Sequence, residues 1–171
     1  MRRQRAFTLL ELLVVLVLMG VILTIGVLSL GDGGRGDQIR EEGRRLSALL
    51  QLAADEAVLT TTPHGFELQP DGYRFVHHRD GEWQVLQQDS LLRPRPWPPG
   101  VEAELYIDGH PVAPVQQSKQ RDVPQPALLF YPDGERTPFE LVLAYPQRPY
   151  LRQRITGEPY GQLQLESLSE E

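Results

Sequence analysis

The stretch "RRQRAFTLLELLVVLVLMGVILTIGVLSL", residues 2–30, decides how the chain is interpreted. Arg2, Arg3 and Arg5 precede an apolar run over residues 7–30, which contains one charged residue, Glu11. The run of about 24 residues exceeds the roughly 20 that a helix needs to cross a bilayer. Because basic residues are retained on the cytoplasmic side, the pattern predicts a single membrane span with the domain outside. A cleavable secretory signal is the alternative, although "VLSLGDGG" is a poor cleavage site.

Glu11 is the unusual residue of this run, since a charge at the bilayer centre costs about 2.5 to 3.5 kcal/mol. One interpretation is that Glu11 lies only a turn into the run, where water at the membrane interface reaches it. The other is that it neutralises a cation on a neighbouring chain.

The string "RRQRAFTLLE" with its apolar continuation resembles the class III leader of type IV pilins and type II secretion pseudopilins. The resemblance implies that a prepilin peptidase cuts between Ala6 and Phe7 and methylates the new amino group of Phe7. Glu11 then becomes the fifth residue of the mature chain, a position with an assembly role in that family. The family usually has glycine before the cut, whereas this chain has Ala6.

The assembly role has a physical basis. The cationic amine of Phe7 is expensive to leave unpaired near lipid. Glu11 lies about 6 Å farther along a helix, so a neighbour displaced by about one turn presents its carboxylate to that amine. The pair would set the register between subunits.

The composition and charge of the chain exclude several kinds of site and partner. The chain has 171 residues, no cysteine and a net charge of −6, which loss of the three leader arginines would make more negative by three. Disulfides and thiolate metal sites are excluded. Phosphate binding requires a basic surface, so nucleic acid is excluded as a main partner. About 140 residues remain for one domain beyond the membrane run.

The predicted organisation has four parts. Residues 1–6 are a cytoplasmic leader and residues 7–30 a transmembrane helix. Residues 31–37, "GDGGRGD", predict a helix break or flexible joint, since glycine destabilises a helix by about 1 kcal/mol relative to alanine. Residues 38–171 form the periplasmic domain, with a helix over 38–60 and a β-rich region over 64–168. A stripe of Ile39, Leu46, Leu50, Ala53 and Ala57 forms one face of that helix.

The β-rich region is predicted from alternating segments and turn dipeptides. Asp71-Gly72 and Asp80-Gly81 separate "HGFELQ", "YRFVHH" and "EWQVLQ", and Asp-Gly is a strong hairpin signal. In "VEAELYIDG" the apolar and polar residues alternate, and "TPFELVLAY" is apolar on both faces and therefore predicted to be central. The proline-rich residues 109–126 are predicted to be a loop. The fold class is α+β, a helix packed on antiparallel sheet.

The strings "FELQPDGYRF", "YPDGERTPFELVL" and "ITGEPYGQLQLE" resemble the globular domain of the H-type minor pseudopilins of type II secretion. The resemblance implies a pilin-like fold with two small antiparallel sheets, anchored in the inner membrane with the domain in the periplasm. It implies a non-enzymatic subunit at or near the tip of a pseudopilus that helps to export folded proteins across the outer membrane. The implied partners are other minor pseudopilins, the major pseudopilin, the prepilin peptidase and membrane lipid. Secreted substrates are a further candidate.

No catalytic, cofactor or metal motif is found. Adjacent His77 and His78 on a strand point to opposite faces and are interpreted as ordinary strand residues. Glu102 with Glu104 is interpreted as a solvated strand face rather than a catalytic pair. Trp97, among prolines, is interpreted as anchoring its loop on the core, with contact to a partner as the alternative.

Two rival functions stay open. A minor pilin of a true type IV pilus would carry the same leader and a related domain. A membrane-tethered periplasmic binding module or enzyme would tolerate leucine in place of Glu11 and would keep its N-terminus uncut.

Overall fold

The computed structural model describes residues 9–116 and 123–168. Ala6 and Phe7, the predicted cleavage residues, lie outside them. The chain divides after Asp37 into two units, residues 1–37 and 38–171, and each is described by itself.

Helix α1 extends from Leu9 to Thr60. It is helical throughout residues 31–37, so the predicted break of the helical backbone is wrong there, while flexibility of this joint stays a prediction. The α-helix ends in a Schellman motif, in which Thr62 N–H donates to Ala57 O at 3.2 Å and Thr61 N–H to Val58 O at 3.3 Å. Thr61 takes the left-handed conformation of this motif with a φ of 51°, and Pro63 follows it.

Ten strands follow the helix in the part of the chain that the structure describes. They are β1 (His64–Gln69), β2 (Gly72–Arg79), β3 (Glu82–Val85), β4 (Arg95–Pro96), β5 (Glu102–Ile107), β6 (His110–Val112), β7 (Leu128–Phe130), β8 (Phe139–Tyr145), β9 (Arg148–Gly157) and β10 (Gln164–Leu168).

The first sheet has the order β3-β2-β1-β7, with β4 also paired to β2. Asp80 and Gly81 form the predicted β2–β3 turn, both with positive φ (54° and 84°). The predicted turn at Asp71-Gly72 is wrong by one position, because Gly72 is the first residue of β2 and pairs with Gln69. A side chain at Gly72 would collide with the backbone carbonyl of Arg95 on β4, so this glycine serves a close approach of two strands.

The second sheet has the order β10-β9-β8-β5-β6 and is antiparallel throughout. Strand β8 is central, as its apolar sequence predicts. The alternation of β5 is also confirmed, because Leu105 is buried while Glu102 and Glu104 are exposed. The two antiparallel sheets and the helix confirm the α+β class.

One hydrophobic core joins α1 to both sheets within residues 38–168. The predicted stripe of Ile39, Leu46, Leu50, Ala53 and Ala57 is buried, each residue at 1% exposure or less. The sheets contribute the other large buried side chains, which include Phe66, Tyr73, Phe75, Leu105, Leu128, Phe130, Leu141, Leu143 and Ile155.

The described residues of the predicted loop over 109–126 include regular structure. It begins with strand β6, which pairs with β5 after an Asp108-Gly109 turn of positive φ. Residues 117–122 lie outside the described residues. On either side of them the chain is bound to β1, since Val115 N–H donates to Leu68 O and Ala127 N–H to Phe66 O.

Candidate assembly site

The predicted assembly residue Glu11 lies near the start of the described part of α1. Its side chain is outside the described set, as are Ala6 and Phe7. The geometry of the expected pair between the Phe7 amine and Glu11 is therefore a prediction.

The N-terminal part of α1 exposes a continuous apolar surface. The seven residues from position 13 to 19 are all apolar, and their side chains are between 39% and 67% exposed. Seven consecutive residues cover about two full helical turns, so this apolar surface surrounds the helix and does not form a single stripe. No face of this segment is suited to water. Within the described residues, no helix satisfies the length and hydropathy criteria for a membrane span.

The C-terminal part of α1 is tied to the domain by polar contacts that the sequence does not reveal. Tyr145 Oη lies 3.0 Å from Gln38 Oε1, and Tyr73 Oη lies 3.3 Å from Glu42 Oε1. Glu42 is 1% exposed and is ion-paired with Arg45 one turn along the helix. Burial raises the pKa of Tyr73, and the nearby charges of Arg45 and Arg95 oppose this shift. Tyr73 is therefore a neutral hydrogen-bond donor to Glu42 at physiological pH.

A buried ion pair lies on the first sheet beneath the segment that precedes β7. Arg74 Nε donates to Glu67 Oε1 at 2.6 Å, and the two side chains are 3% and 0% exposed. Gln69 Nε2 donates to the same oxygen at 3.0 Å, while the backbone N–H of Gln125 donates to Glu67 Oε2 at 2.5 Å. Glu67 and Arg74 are direct cross-strand partners on β1 and β2. From the sequence, this pair could have been predicted only through the register of the β1–β2 hairpin, which places Glu67 opposite Arg74.

The outer face of the second sheet holds a shallow groove of about 260 Å³ above the small side chains Val142 and Ala144. Arg154 pairs with Glu140 at 3.0 Å and with Glu166 at 3.8 Å across this face. Tyr106 Oη donates to Glu104 at 2.8 Å, and this hydrogen bond raises the pKa of Tyr106. The face is a solvated polar surface, as predicted for the glutamates of β5.

The histidines do not form a metal site. His77 and His78 pair with different neighbours, His77 edge-on to His64 at 6.1 Å and His78 against Trp83 at 5.1 Å. Among the described residues, no group of three or more histidine, aspartate or glutamate side chains is arranged to hold a metal ion. Trp97 is buried, contacts Tyr73 at 4.8 Å and donates to Gln69 O at 3.3 Å, which confirms its anchoring role.

The helix, the two sheets and the apolar N-terminus can be compared with known proteins. Residues 42–161 match the family model for the type II transport protein GspH, and residues 1–27 match the prokaryotic N-terminal methylation motif. The chain belongs to the GspH family. The resemblance stated from the sequence is thereby confirmed.

Curated relatives agree with this assignment. Type II secretion system protein H of Pseudomonas aeruginosa is 33% identical over 150 residues, covering 84% of this chain and 85% of that protein. The protein of the same name from Aeromonas hydrophila is 32% identical over 173 residues, covering 95% and 93%. The coarse function of the chain, type II transport, follows from this family, as does assembly with other pseudopilins.

Solved structures share the fold. The crystal structure of the minor pseudopilin EpsH from the type II secretion system of Vibrio cholerae superposes with a TM-score of 0.65 at 22% identity, covering 79% of this chain and 97% of that one. The solution structure of Escherichia coli GspH gives 0.62 at 21% identity, covering 81% and 94%. Together with the methylation motif, family membership indicates a membrane-anchored periplasmic protein.

Proposed function

We propose that the protein is a minor pseudopilin at or near the tip of the periplasmic pseudopilus, where it helps to export folded proteins across the outer membrane. The observation that carries this proposal is the presence on one chain of the N-terminal methylation motif over residues 1–27 and the GspH domain over residues 42–161. The first supplies the means of entering a filament, and the second identifies a secretion subunit.

Processing precedes assembly in this proposal. A prepilin peptidase cleaves between Ala6 and Phe7 and methylates Phe7, which leaves a cationic amine at the start of the mature helix. The carboxylate of Glu11 from an adjacent subunit neutralises that amine. The match of residues 1–27 to the methylation motif supports this sequence of steps.

The apolar N-terminal helix serves two environments. Before assembly it crosses the inner membrane once, with the N-terminus in the cytoplasm and the domain in the periplasm. After assembly it packs against the corresponding helices of the major pseudopilin and the other minor pseudopilins. The exposure of Leu13, Leu16 and their apolar neighbours on all sides of α1 supports both roles, because no face of this segment is suited to water.

The proposed role is structural rather than catalytic. The GspH family is one of structural subunits, and the domain uses its buried polar residues to hold α1 and the long segment before β7 in place. The final part of the proposal is that secreted substrates contact the exposed domain. The acidic surface of the domain is the candidate for that contact.

The experiment that tests the function is a mass measurement on the protein from membranes of cells with and without prepilin peptidase. A chain that starts at methylated Phe7 only when the peptidase is present supports a filament subunit. A chain that still begins at Met1 in both strains contradicts it and favours a tethered binding module. Deletion of the gene must also block release of secreted enzymes. If it instead removes surface pili and leaves secretion intact, the protein is a minor pilin.

In the same strains, Glu11→Gln should allow cleavage but reduce incorporation into the pseudopilus. Gln keeps the size and polarity of Glu11 and removes only the charge that neutralises the amine. The matched control is Glu41→Gln, an exposed position of the same helix outside the membrane run.

A further inference from the structure

A groove of about 440 Å³ lies at one end of the second sheet, where the β5–β6 turn, the start of β8 and the end of β9 meet. The strand register brings these parts together, since Phe139 on β8 pairs with Gly157 on β9. The next residue of β8, Glu140, pairs with Tyr106 on β5. The ring of Phe139 fills the space in which a side chain at Gly157 would lie. The groove therefore has an aromatic side, formed by Tyr106 and Phe139.

The other side of the groove is acidic. Asp108, Glu140 and Glu158 line it, whereas no lysine or arginine does so among the described residues. Glu140 is ion-paired with Arg154 at 3.0 Å. Asp108 and Glu158 are exposed, and neither forms an ion pair within the described part of the chain. Two carboxylates at the groove are therefore without a counter-charge.

The acidic surface continues from the groove into a cluster of exposed tyrosines. The segments that precede β8 and follow β9 are bound side by side, because Arg136 N–H donates to Pro159 O at 2.9 Å. Beyond this bond, Tyr160 Oη donates to Glu135 Oε2 at 3.3 Å, and Tyr131 N–H donates to Glu135 O at 2.8 Å. Tyr160 is 60% exposed and Tyr131 is 39% exposed. Tyrosine is one of the residues that protein interfaces use most for binding energy.

No exposed cation of these segments balances the carboxylates. Residues 131–147 and 156–163 contain a single lysine or arginine, Arg136, and its side chain is buried at 4% exposure. The charge of Glu135 is the largest of the effects that raise the pKa of Tyr160. The surface around the tyrosines therefore has a negative potential.

We propose that the groove and the adjacent tyrosine cluster bind a basic segment of a neighbouring pseudopilin. Charge complementarity determines the sign of the occupant, because an arginine or lysine supplies the counter-charge that Asp108 and Glu158 lack. The tyrosine rings favour arginine, whose guanidinium stacks on aromatic faces and pairs with carboxylates. The same negative charge repels nucleic acid and anionic lipid, so the occupant is a protein. The inference rests on the proposed function, because it names a surface through which one subunit meets another.

Photocrosslinking in cells tests the occupant directly. The full-length chain carries a benzoyl-phenylalanine crosslinker in place of Tyr106, which lines the groove, in a strain that produces the complete secretion system. The expected result is a crosslink to one other subunit that bears an N-terminal methylation motif, at a segment of net positive charge. The control has the crosslinker at Tyr150, a tyrosine that is 44% exposed on β9 outside the groove. Equal yields from both positions, or a crosslink to a second copy of this chain or to a secreted protein, overturn the proposal.

Neutral substitutions test whether charge holds the occupant. Asp108→Asn and Glu158→Gln each remove one charge with little change in size, and each should lower the Tyr106 crosslink about two- to five-fold, as expected for an exposed ion pair. Glu82→Gln, at an exposed position of β3 in the other sheet, should leave the yield unchanged. All three variants should melt at the wild-type temperature because the substituted residues are exposed. Yields that stay at the wild-type level in both groove variants overturn the proposal.

A charge exchange tests the pairing itself. Glu158→Lys should lower the crosslink further than Glu158→Gln does, because it places like charges opposite each other. Replacing the arginine or lysine of the crosslinked segment by glutamate should have the same effect. The two changes together should restore the crosslink, since opposite charges then face each other again. If the combination restores nothing, the proposed pairing is wrong.

The failure of this inference can be distinguished from failure of the proposed function. A chain that is cleaved at Phe7 and needed for secretion, but gives no crosslink from Tyr106, refutes only the groove and leaves the proposed function intact.

Discussion

Glu67 is the residue whose removal should cost this domain most, because it connects three parts of the chain. It accepts buried hydrogen bonds from Arg74 and Gln69 and a partly buried one from the backbone of Gln125. Glu67→Gln breaks the buried ion pair with Arg74, and breaking a buried pair by changing one partner costs about 3 to 5 kcal/mol. Urea unfolding at neutral pH, followed by circular dichroism, should show that decrease in the free energy of unfolding.

The matched control is Glu166→Gln. Glu166 is exposed and pairs with Arg154 at 3.8 Å, and an exposed ion pair contributes at most about 1 kcal/mol. Equal effects of the two substitutions would contradict a special role for the buried pair.

His64 should make the stability of the domain depend on pH. Burial lowers its pKa below the ordinary value of 6.5, with a smaller lowering from His77 and opposing effects from the carbonyl of Thr62 and the charges of Glu56 and Asp89. The unfolded chain therefore takes up the proton first as the pH falls. The free energy of unfolding should be constant above about pH 6.5 and should decrease as the pH falls from there toward the lower, folded pKa.

Unfolding in urea at pH 7.5 and pH 5 measures this decrease. His64→Gln should make the decrease smaller, whereas His110→Gln, at an exposed histidine, should leave it unchanged. An identical pH dependence in wild type and His64→Gln would rule out the contribution of His64.

At the scale of elements, helix α1 includes the glycine-rich segment of residues 31–37. Gly34 has open space around it, so a Cβ at this position would meet no other atom within 4 Å. Gly34→Ala should therefore stabilise the local helix by about 1 kcal/mol, the difference in helix propensity. Amide hydrogen exchange over residues 31–37 should slow about five-fold in the full-length protein. Unchanged exchange would show that helix propensity does not limit the opening of this joint.

The turns between strands show where an Asp-Gly pair was sufficient to predict the turn and where it was not. Asp80-Gly81 and Asp108-Gly109 form two-residue turns because both residues of each pair tolerate positive φ, a property of the dipeptide itself. Asp71-Gly72 has the same letters but a different role, because β4 approaches β2 so closely that only glycine fits at position 72. The local sequence around Gly72 does not show that β4 approaches it, because β4 comes from a separate segment later in the chain.

At the scale of the whole molecule, the structure predicts that residues 38–171 fold without the N-terminal unit. The described core of the domain, from Ile39 to Ile155, lies entirely after position 38, and both sheets share it with the C-terminal part of α1. A fragment that starts at Gln38 should be soluble and monomeric and should unfold in a single cooperative transition, because one core connects all elements. Circular dichroism melts and analytical ultracentrifugation measure both properties. Aggregation of the fragment, or two separate transitions, would contradict a single shared core.

The sequence alone determined the parts of this protein that depend on local patterns. The leader string and the apolar run predicted the family before any fold was known, because the N-terminal methylation motif is a short linear segment that needs no tertiary contacts to be recognised in the sequence. The stripe from Ile39 to Ala57 predicted the buried face of the helix, since its spacing follows the helical period. The segment "FELVLAY" predicted a central strand because it is apolar on both faces of the strand.

The tertiary structure decided which distant segments meet. The chain turns back at Asp133-Gly134, where Phe130 and Arg136 form an antiparallel bridge, yet β7 and β8 belong to different sheets. The local turn signal does not show that β8 leaves the sheet of β7. The burial of Glu67 and the unpaired donors of Arg136 also depend on segments far away in the chain. The physical reason is that periodicity and turn chemistry act between near neighbours, whereas pairing, desolvation and groove formation depend on which surfaces the folded chain brings together.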